Sequence, residues 1–281
     1  MAKIIDGKKI AEKIKEDLKK RVKNLKKRGA EPKLAIFLIG DRSDCKIYAK
    51  SKQKACEEIG IKSDLFTFPE NVEEEKLINA IDALNDDDSV HGIIVEMPLP
   101  KNLDQKAILR EISPMKDVDG LNPITIGNLS IGNEFLIPAT PKGIIRLLEK
   151  IKIPVEGKEV VIVNNSNVVG KPLALLLTNR FATVTICHVK TKNLKEHTSK
   201  ADILITAVGS PKLIKKDMVK KNAVVIDAGI KRLDDKILGD VDFEKVKDAA
   251  SYITPVPGGV GPMTVAMILE NTLIAAESLT I

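Results

Sequence analysis

The stretch from Glu159 to Lys190, EVVIVNNSNVVGKPLALLLTNRFATVTICHVK, decides how the carboxyl-terminal half of this chain folds. An apolar run, Val160–Val163, precedes a polar segment that ends at Gly170, and a second apolar run, Thr183–Cys187, follows a leucine-rich segment. This succession predicts a strand, a turn, a helix and a second strand, which together form a βαβ unit.

The turn between the first strand and the helix has a composition that suits an anion. Asn164, Asn165, Ser166 and Gly170 would leave backbone N–H groups at a helix N-terminus open to a dinucleotide pyrophosphate. Two of these residues stand where the glycines of GxGxxG would be, so by pattern alone an ordinary βαβ turn is an equal alternative. A Walker phosphate loop is excluded, because Pro172 stands where that motif needs Ser or Thr.

Composition limits the class of protein. The chain has 281 residues, of which 43% are hydrophobic and 30% charged, and these values predict a soluble globular protein of two domains. No apolar run approaches the ~18 residues of a membrane span, and the N-terminus has no signal-peptide core, so we expect a cytoplasmic protein. Three cysteines and three histidines show no disulfide or metal spacing. A net charge of +6 could favour nucleic-acid binding, but only 3% of the residues are aromatic and none is Trp, so base stacking is not expected and we predict no nucleic-acid partner.

Helices and strands alternate along the whole chain, which predicts α/β folding with parallel sheets. We expect an amino-terminal substrate domain at 1–138, completed by a returning C-terminal helix within 264–281. A Rossmann-like doubly wound domain would occupy 139–263, with a ligand cleft between the two domains. The segment from Leu121 to Phe135 is predicted to be irregular. A helix capped by Thr140 is predicted at Lys142–Lys150, and another helix is predicted around Lys215–Lys221.

Four side chains of the first half are candidates for chemistry. Tyr48 and Lys52 lie four apart on a predicted helix, so they share one face, where a partly buried lysine could accept a proton. An exposed lysine beside a half-buried tyrosine is the alternative. Glu96 ends an apolar strand and faces either solvent or a polar cleft. Asp119 could accept two hydrogen bonds from an amino-pyrimidine edge, or could bond its own backbone in a turn.

The order of motifs resembles the bifunctional methylenetetrahydrofolate dehydrogenase/cyclohydrolase family over nearly the whole chain. The motifs are Tyr48 with Lys52, VEMPLP at 95–100, KDVDG at 116–120, PATP at 138–141, SNVVGKP at 166–172, TVTICH at 183–188 and TPVPGGVGPMT at 254–264.

The resemblance implies two reactions on tetrahydrofolate derivatives. One is NAD(P)-dependent oxidation of 5,10-methylenetetrahydrofolate to the 5,10-methenyl form, and the other is hydrolysis of that form to 10-formyltetrahydrofolate. It also implies a homodimer and roles for individual residues. Lys52 would be the hydrolytic base, Tyr48 would orient it or pack along the folate, and Asp119 would hold the pterin edge. The remaining substrate contacts would be Pro98, Leu99, Pro257, Gly258 and Gly259, and the dinucleotide contacts would be Asn164, Asn165, Ser166, Gly170, Val189 and Ile230.

The chain departs from the family at positions that matter for both reactions. Glu96 stands where the family usually has Gln, and a carboxylate beside Lys52 would favour the ammonium form, so we expect hydrolysis to be weaker or shifted to higher pH. Glu96 could instead be protonated or handle the proton itself. Asn165 and Val189 replace the Arg and Ser that hold the 2′-phosphate of NADP in the family. NADP is therefore expected by resemblance, with NAD as an alternative.

Two further functional readings stay open. The protein could be a dehydrogenase that has lost hydrolysis, or a non-catalytic folate- or nucleotide-binding protein. A sugar or amino-acid dehydrogenase would leave KDVDG and PVPGGVGP unexplained.

Overall fold

A computed structural model of the chain describes residues 1–233 and 236–279. The strands are β1 (Lys3–Ile4), β2 (Lys33–Ile39), β3 (Lys62–Phe68), β4 (Gly92–Val95), β5 (Glu159–Val163), β6 (Thr183–Cys187), β7 (Ile203–Thr206), β8 (Val224–Asp227), β9 (Lys231–Leu233), β10 (Lys236–Leu238) and β11 (Tyr252–Ile253). The helices are α1 (Gly7–Lys27), α2 (Ser43–Ile59), α3 (Glu74–Asn85), α4 (Gln105–Glu111), α5 (Pro123–Ser130), α6 (Ala139–Lys150), α7 (Gly170–Thr178), α8 (Leu194–Thr198), α9 (Phe243–Val246) and α10 (Val260–Leu279).

The chain divides into two compact α/β units with parallel sheets, which confirms the predicted fold class. The three-stranded unit comprises residues 13–139 and 265–281, and the six-stranded unit comprises 1–12 and 140–264. Residues 280–281, the end of the predicted C-terminal segment, lie outside the described residues. The boundaries of 1–138 and 139–263 stay predictions from the sequence.

The three-stranded unit has the strand order β3-β2-β4, with all pairs parallel. Its central strand β2 reads KLAIFLI and is buried at six of seven positions, because a strand inside a parallel sheet is covered on both faces. Phe37 stacks on Phe66 and Phe68 of the neighbouring strand, with ring centroids 5.3 and 5.6 Å apart. The core therefore fixes the register of β2, and with it the residues that follow the carboxyl ends of the strands.

The six-stranded unit has the order β1-β11-β8-β7-β5-β6, again entirely parallel. Read from β6 to β11, this is the doubly wound order 2-1-3-4-5, whose switch point lies between β5 and β7. Ligands of such sheets bind beyond the carboxyl ends of the strands at the switch point. The pairing of β1 with β11 was not predicted from the sequence.

Three local predictions were wrong. Helix α5 lies inside the segment predicted to be irregular, because the Asn122 side chain caps its start by accepting from the Ile124 N–H and Pro123 takes the first helical turn. The helix predicted around Lys215–Lys221 is only a 3-10 turn, Lys216–Met218. Helix α6 begins at Ala139, so Thr140 lies inside the helix instead of capping it.

Candidate active site

Helix α2 buries a lysine within its apolar stripe. Five buried positions of α2 follow one another at spacings of four and three residues, the spacing of a single helix face, and they are Cys45, Ala49, Lys52, Cys56 and Ile59; Ala55 is also buried. Lys52 Nζ donates to Glu96 Oε1 at 2.6 Å, and the two side chains are only 9% and 5% exposed. Because neither charge can be hydrated at that exposure, each depends on the other for stabilisation.

Glu96 reaches this position because it directly follows β4. Its N–H donates to the Phe37 carbonyl at 2.9 Å, which continues the ladder between β4 and β2 by one residue. The next residue, Met97, accepts a hydrogen bond from Cys45 Sγ at 3.4 Å. The sequence left open whether Glu96 faces solvent or a polar site, and in the structure it pairs with the buried lysine.

Tyr48 lies one turn before Lys52 on α2, as the four-residue spacing requires, and Lys52 Nζ is 5.9 Å from the centre of its ring. The ring edge remains accessible, since the residue is 41% exposed. The pKa of Tyr48 is raised, mainly by burial of its hydroxyl and to a smaller extent by the negative charges of Asp44 and Glu96. The phenol therefore stays protonated at physiological pH and can donate a hydrogen bond to a ligand.

The two aspartates of KDVDG have different surroundings. Both carboxylate oxygens of Asp117 accept backbone N–H groups, from Gly120, Leu121 and Asn122 at 2.8–3.1 Å, so Asp117 is the residue that bonds its own turn. Asp119 receives no hydrogen bond to its carboxylate from the part of the chain that the structure describes. Its carboxylate is therefore available to a ligand.

Asp119 lies in the electrostatic field of the lysine pair. Burial raises the pKa of Asp119 to about 6; Lys52 lowers this pKa, and Asp117 and Glu96 raise it. The structure thus brings together Tyr48, Lys52, Glu96 and Asp119, which the sequence analysis selected separately.

A buried asparagine of α10 fixes the backbone around Asp119. Asn271 Nδ2 donates to the carbonyl oxygens of Val118 at 2.9 Å and Ile137 at 2.8 Å. The sequence analysis did not identify this residue, although an Asn within the apolar segment AMILENTLIAA was the available signal.

In the six-stranded unit, Asn164 organises the turn after β5. Its Oδ1 accepts from Ser166 N, Ser166 Oγ and Gly170 N at 2.7–2.9 Å, and its Nδ2 donates to the Ala207 carbonyl across the switch point at 2.5 Å. A Cβ at Gly170 would lie 2.0 Å from the Asn164 carbonyl oxygen, so only glycine permits this turn. Hydrogen bonds from the Asn164 side chain therefore hold this turn in shape, at the place where a GxGxxG motif would have glycines.

The same turn offers backbone donors to an anion. The N–H groups of Asn165, Asn167 and Val168 donate to no acceptor among the described residues, and they precede the N-terminus of α7. Donors of this kind, beside a helix N-terminus at the switch point of a doubly wound sheet, fit a dinucleotide pyrophosphate.

The turn after β6 has no acidic residue. Val189 is 95% exposed there, between His188 and Lys190. The His188 N–H donates to Thr191 Oγ1 at 2.8 Å and the Lys190 N–H donates to His188 Nδ1 at 3.1 Å, which gives the turn a defined shape.

The proline- and glycine-rich segment before α10 packs on its own unit. The Lys8 N–H donates to the Gly258 carbonyl at 2.9 Å, and a Cβ at Gly7 would lie 1.9 Å from the Gly259 carbonyl oxygen. Close packing also requires glycine at 259, since a Cβ there would lie 2.6 Å from the Pro255 carbonyl oxygen, whereas the φ of +105° favours glycine at 258. Contact of Pro257, Gly258 and Gly259 with substrate stays a prediction. Among the other residues predicted to contact ligands, Pro98 and Ile230 are exposed and Leu99 is partly buried.

Among residues 1–233 and 236–279, no helix is long and apolar enough to cross a membrane. The same residues contain no cluster of three or more His, Cys, Asp or Glu side chains placed to hold a metal ion.

These features define a class. The six-stranded unit is a doubly wound parallel sheet with N–H donors at its switch point, and the second α/β unit contains a buried lysine. Both features are typical of a two-domain dinucleotide-dependent enzyme. The chain belongs to the tetrahydrofolate dehydrogenase/cyclohydrolase family. Residues 5–119 match the catalytic domain of that family, and residues 138–280 match its NAD(P)-binding domain. The resemblance inferred from the motifs is therefore confirmed.

Relatives agree over the full length of the chain. The bifunctional protein FolD of Thermodesulfovibrio yellowstonii is 53% identical over 277 residues, which cover 98% of this chain and 97% of that protein. The crystal structure of the bifunctional enzyme FolD from Campylobacter jejuni is 49% identical, with a TM-score of 0.97 and 99% of each chain covered. FolD of Trypanosoma brucei, solved in complex with NADP cofactor and an inhibitor, is 36% identical, with a TM-score of 0.95 and coverage of 99% and 98%.

Proposed function

We propose that this enzyme oxidises 5,10-methylenetetrahydrofolate to 5,10-methenyltetrahydrofolate with NADP, and hydrolyses the methenyl form to 10-formyltetrahydrofolate. Membership of the family supports both reactions. The structural observation that supports the proposal most is the buried pair of Lys52 and Glu96. Its charges act on Asp119, whose carboxylate accepts no hydrogen bond from the described residues.

The oxidation needs alignment more than acid or base. When bound, NADP supplies the hydride acceptor. The carbon that loses the hydride is flanked by two nitrogens, which share the resulting positive charge, so no protein group has to take a proton in that step. Asp119 would hold the amino-pyrimidine edge of the pterin with two hydrogen bonds, and the protonated Tyr48 phenol would orient the folate.

The hydrolysis does need a proton acceptor. Water adds to the amidinium carbon as one of its protons passes to the Lys52 amine, which gives a neutral hydroxyl adduct. The bond from that carbon to N5 then breaks as the hydroxyl proton of the adduct is transferred to N5, and the formyl group remains on N10. The Lys52 amine is held by Glu96 in a buried pair at 2.6 Å, so it is not free to accept the proton from water. We therefore propose that hydrolysis is restrained at neutral pH relative to oxidation, and that it increases as pH rises.

The two activities can be measured on one preparation. Reduced-nicotinamide absorbance reports oxidation, and loss of the methenyl chromophore reports hydrolysis. Lys52→Gln should lower hydrolysis by about 10²- to 10⁴-fold, the usual contribution of a positioned base. Lys50→Gln is the matched control, because Lys50 is exposed on the same helix. Unchanged hydrolysis in Lys52→Gln would refute the assignment, and no absorbance change with the wild-type enzyme would favour a non-catalytic binding protein.

We further propose that Lys190 and Lys192 provide the charge that attracts the 2′-phosphate of NADP. NAD-specific doubly wound proteins use a carboxylate near the end of the second strand, and residues 179–195 contain no Asp or Glu. Both lysines are exposed in the turn after β6. Arg180 is less suited, since its Nη1 donates to the Leu176 carbonyl at 3.0 Å. A homodimer stays a prediction from the family, which size-exclusion chromatography with light scattering would test. A cytoplasmic location stays a prediction from the sequence.

A further inference from the structure

Two buried carboxylates in the six-stranded unit have no place in either reaction. Asp227 ends β8 and is 3% exposed, and Asp240 follows β10 and is 0% exposed. Burying an aspartate is costly unless its oxygens are fully hydrogen-bonded, so each should be explained by what it holds.

Asp240 holds the turn that follows β7. Its Oδ2 accepts from Thr206 Oγ1 at 2.8 Å and from the Val208 N–H at 2.7 Å, and its Oδ1 accepts from the Ser210 N–H at 2.6 Å. Three of the five residues from Thr206 to Ser210 are therefore bonded to this one carboxylate. Ala207 attaches the turn to the neighbouring strand as well: its carbonyl accepts from Asn164 Nδ2 and its N–H donates to the Val163 carbonyl at 3.3 Å.

Asp227 in turn holds Asp240. Asp227 Oδ1 accepts from the N–H groups of Gly229 at 2.9 Å and Asp240 at 3.1 Å, and Oδ2 accepts from the Val241 N–H at 2.9 Å. A Cβ at Gly229 would lie 2.1 Å from Asp240 Cγ, and a Cβ at Gly239 would lie 2.1 Å from Asp227 Oδ2. Only glycine fits at these two positions, which bring the backbone directly against the carboxylates.

The contacts run without a break along the carboxyl edge of the sheet. They join the turns after β5, β7 and β8, which are adjacent because the strand order is β8-β7-β5. A Cβ at Gly209 would approach the Ile230 carbonyl oxygen to 3.2 Å, so the turns after β7 and β8 also pack on each other. This edge contains the switch point, where a dinucleotide binds in doubly wound folds.

We infer that Asp240, held by Asp227, is a positioning residue for the dinucleotide: it sets the backbone of residues 207–210 so that the turn after β7 forms one wall of the site. The inference rests on the proposed use of NADP. It predicts that a defect at Asp240 weakens binding of the dinucleotide and leaves binding of folate unchanged.

The test compares Asp240→Asn with Asp202→Asn by calorimetric titration of NADP into the apo-enzyme. Asn at 240 keeps one acceptor oxygen but turns an NH₂ group toward one of the backbone N–H donors. Because one charged hydrogen bond is then lost, we expect the Kd for NADP to rise about tenfold. Asp202 is the matched control, because its carboxylate also accepts from a backbone N–H, that of Glu159, and from Lys220, but at the amino edge of the same sheet. Its replacement should leave the Kd for NADP within twofold.

Thr206→Val is a milder variant in case Asp240→Asn folds poorly. It removes one donor to Asp240 without a change of charge, and we expect a Kd for NADP about threefold higher with the KM for folate unchanged. If Asp240→Asn and Thr206→Val bind NADP as tightly as Asp202→Asn does, or if all three weaken equally, the inference is wrong. If the wild-type enzyme itself binds no dinucleotide, the proposed function fails instead.

Discussion

Glu96→Gln removes the charge opposite Lys52 while it keeps the shape of the side chain and one acceptor oxygen. Two unit charges 2.6 Å apart attract each other by about 6 kcal/mol at an effective dielectric constant of about 20. Desolvation of both ions offsets most of that attraction. What remains is of the order of one charged hydrogen bond, about 1.5–3 kcal/mol, which is a factor of about 10 to 100 in how strongly the Lys52 amine is held by Glu96. We therefore expect at least a tenfold rise in hydrolysis at neutral pH, with oxidation changed by less than about twofold.

The assay is the ratio of hydrolysis to oxidation in wild type and variant from about pH 6 to about pH 9. Wild-type hydrolysis should rise with pH, and the profile of Glu96→Gln should be displaced to lower pH. The variant should also unfold more readily at pH 7, by up to about 3 kcal/mol, because a buried ammonium has lost its partner. Glu58→Gln is the control, since its pair with Lys15 has the same 2.6 Å distance but is 43% and 25% exposed.

The possible results separate the readings of Glu96. An unchanged ratio with an unmoved pH profile would show that Glu96 does not restrain Lys52. A fall in hydrolysis would show that Glu96 takes part in handling the proton, which was the alternative raised by the sequence.

Three further predictions concern other parts of the site. Burial raises the pKa of Asp119 from 3.8 to about 6, so its contribution to stability is present below pH 3.8 and is lost as pH rises through 6, by at most about 3 kcal/mol. Asp119→Asn should therefore raise Tm at pH 7.5 but not at pH 3.8, while the KM for folate rises at neutral pH. Replacing both Lys190 and Lys192 by Gln should lower the NADP-to-NAD ratio of kcat/KM about tenfold, and Lys200→Gln should not. Gly170→Ala should abolish NADP binding, because its Cβ would lie 2.0 Å from a backbone oxygen. Gly127→Ala is the control: the residue is in a helix with open space around it, so the substitution should raise the free energy of unfolding by about 0.5–1 kcal/mol.

The periodicity of the sequence was sufficient to predict the fold class, because the spacing of apolar residues and the glycines that end helices and strands follow directly from strand and helix geometry. It failed at α5, where the residues between Leu121 and Phe135 are rich in glycine but begin with an Asn-Pro pair that caps and starts a helix. Burial of Lys52 could be predicted from the sequence, because Lys52 occupies an apolar position in the four-and-three spacing of α2. Its proximity to Glu96 entered the sequence analysis only as a condition raised by the family resemblance, because the partner is 44 residues away and the register of β4 against β2 brings it there.

The hydrogen-bond donors around each carboxylate distinguish three structural aspartates from Asp119, for which we propose a ligand-binding role. Asp117, Asp227 and Asp240 each accept three hydrogen bonds from the protein, so their oxygens are occupied whether or not a ligand is bound. Asp119 accepts none from the described residues, although burial raises its pKa to about 6. A carboxylate kept in such surroundings lowers stability, and binding of a molecule with two N–H donors would compensate for it. Sequence alone could not make this distinction, because Asp117 and Asp119 are the same residue type in one five-residue motif and differ only in which N–H groups the folded turn directs at them.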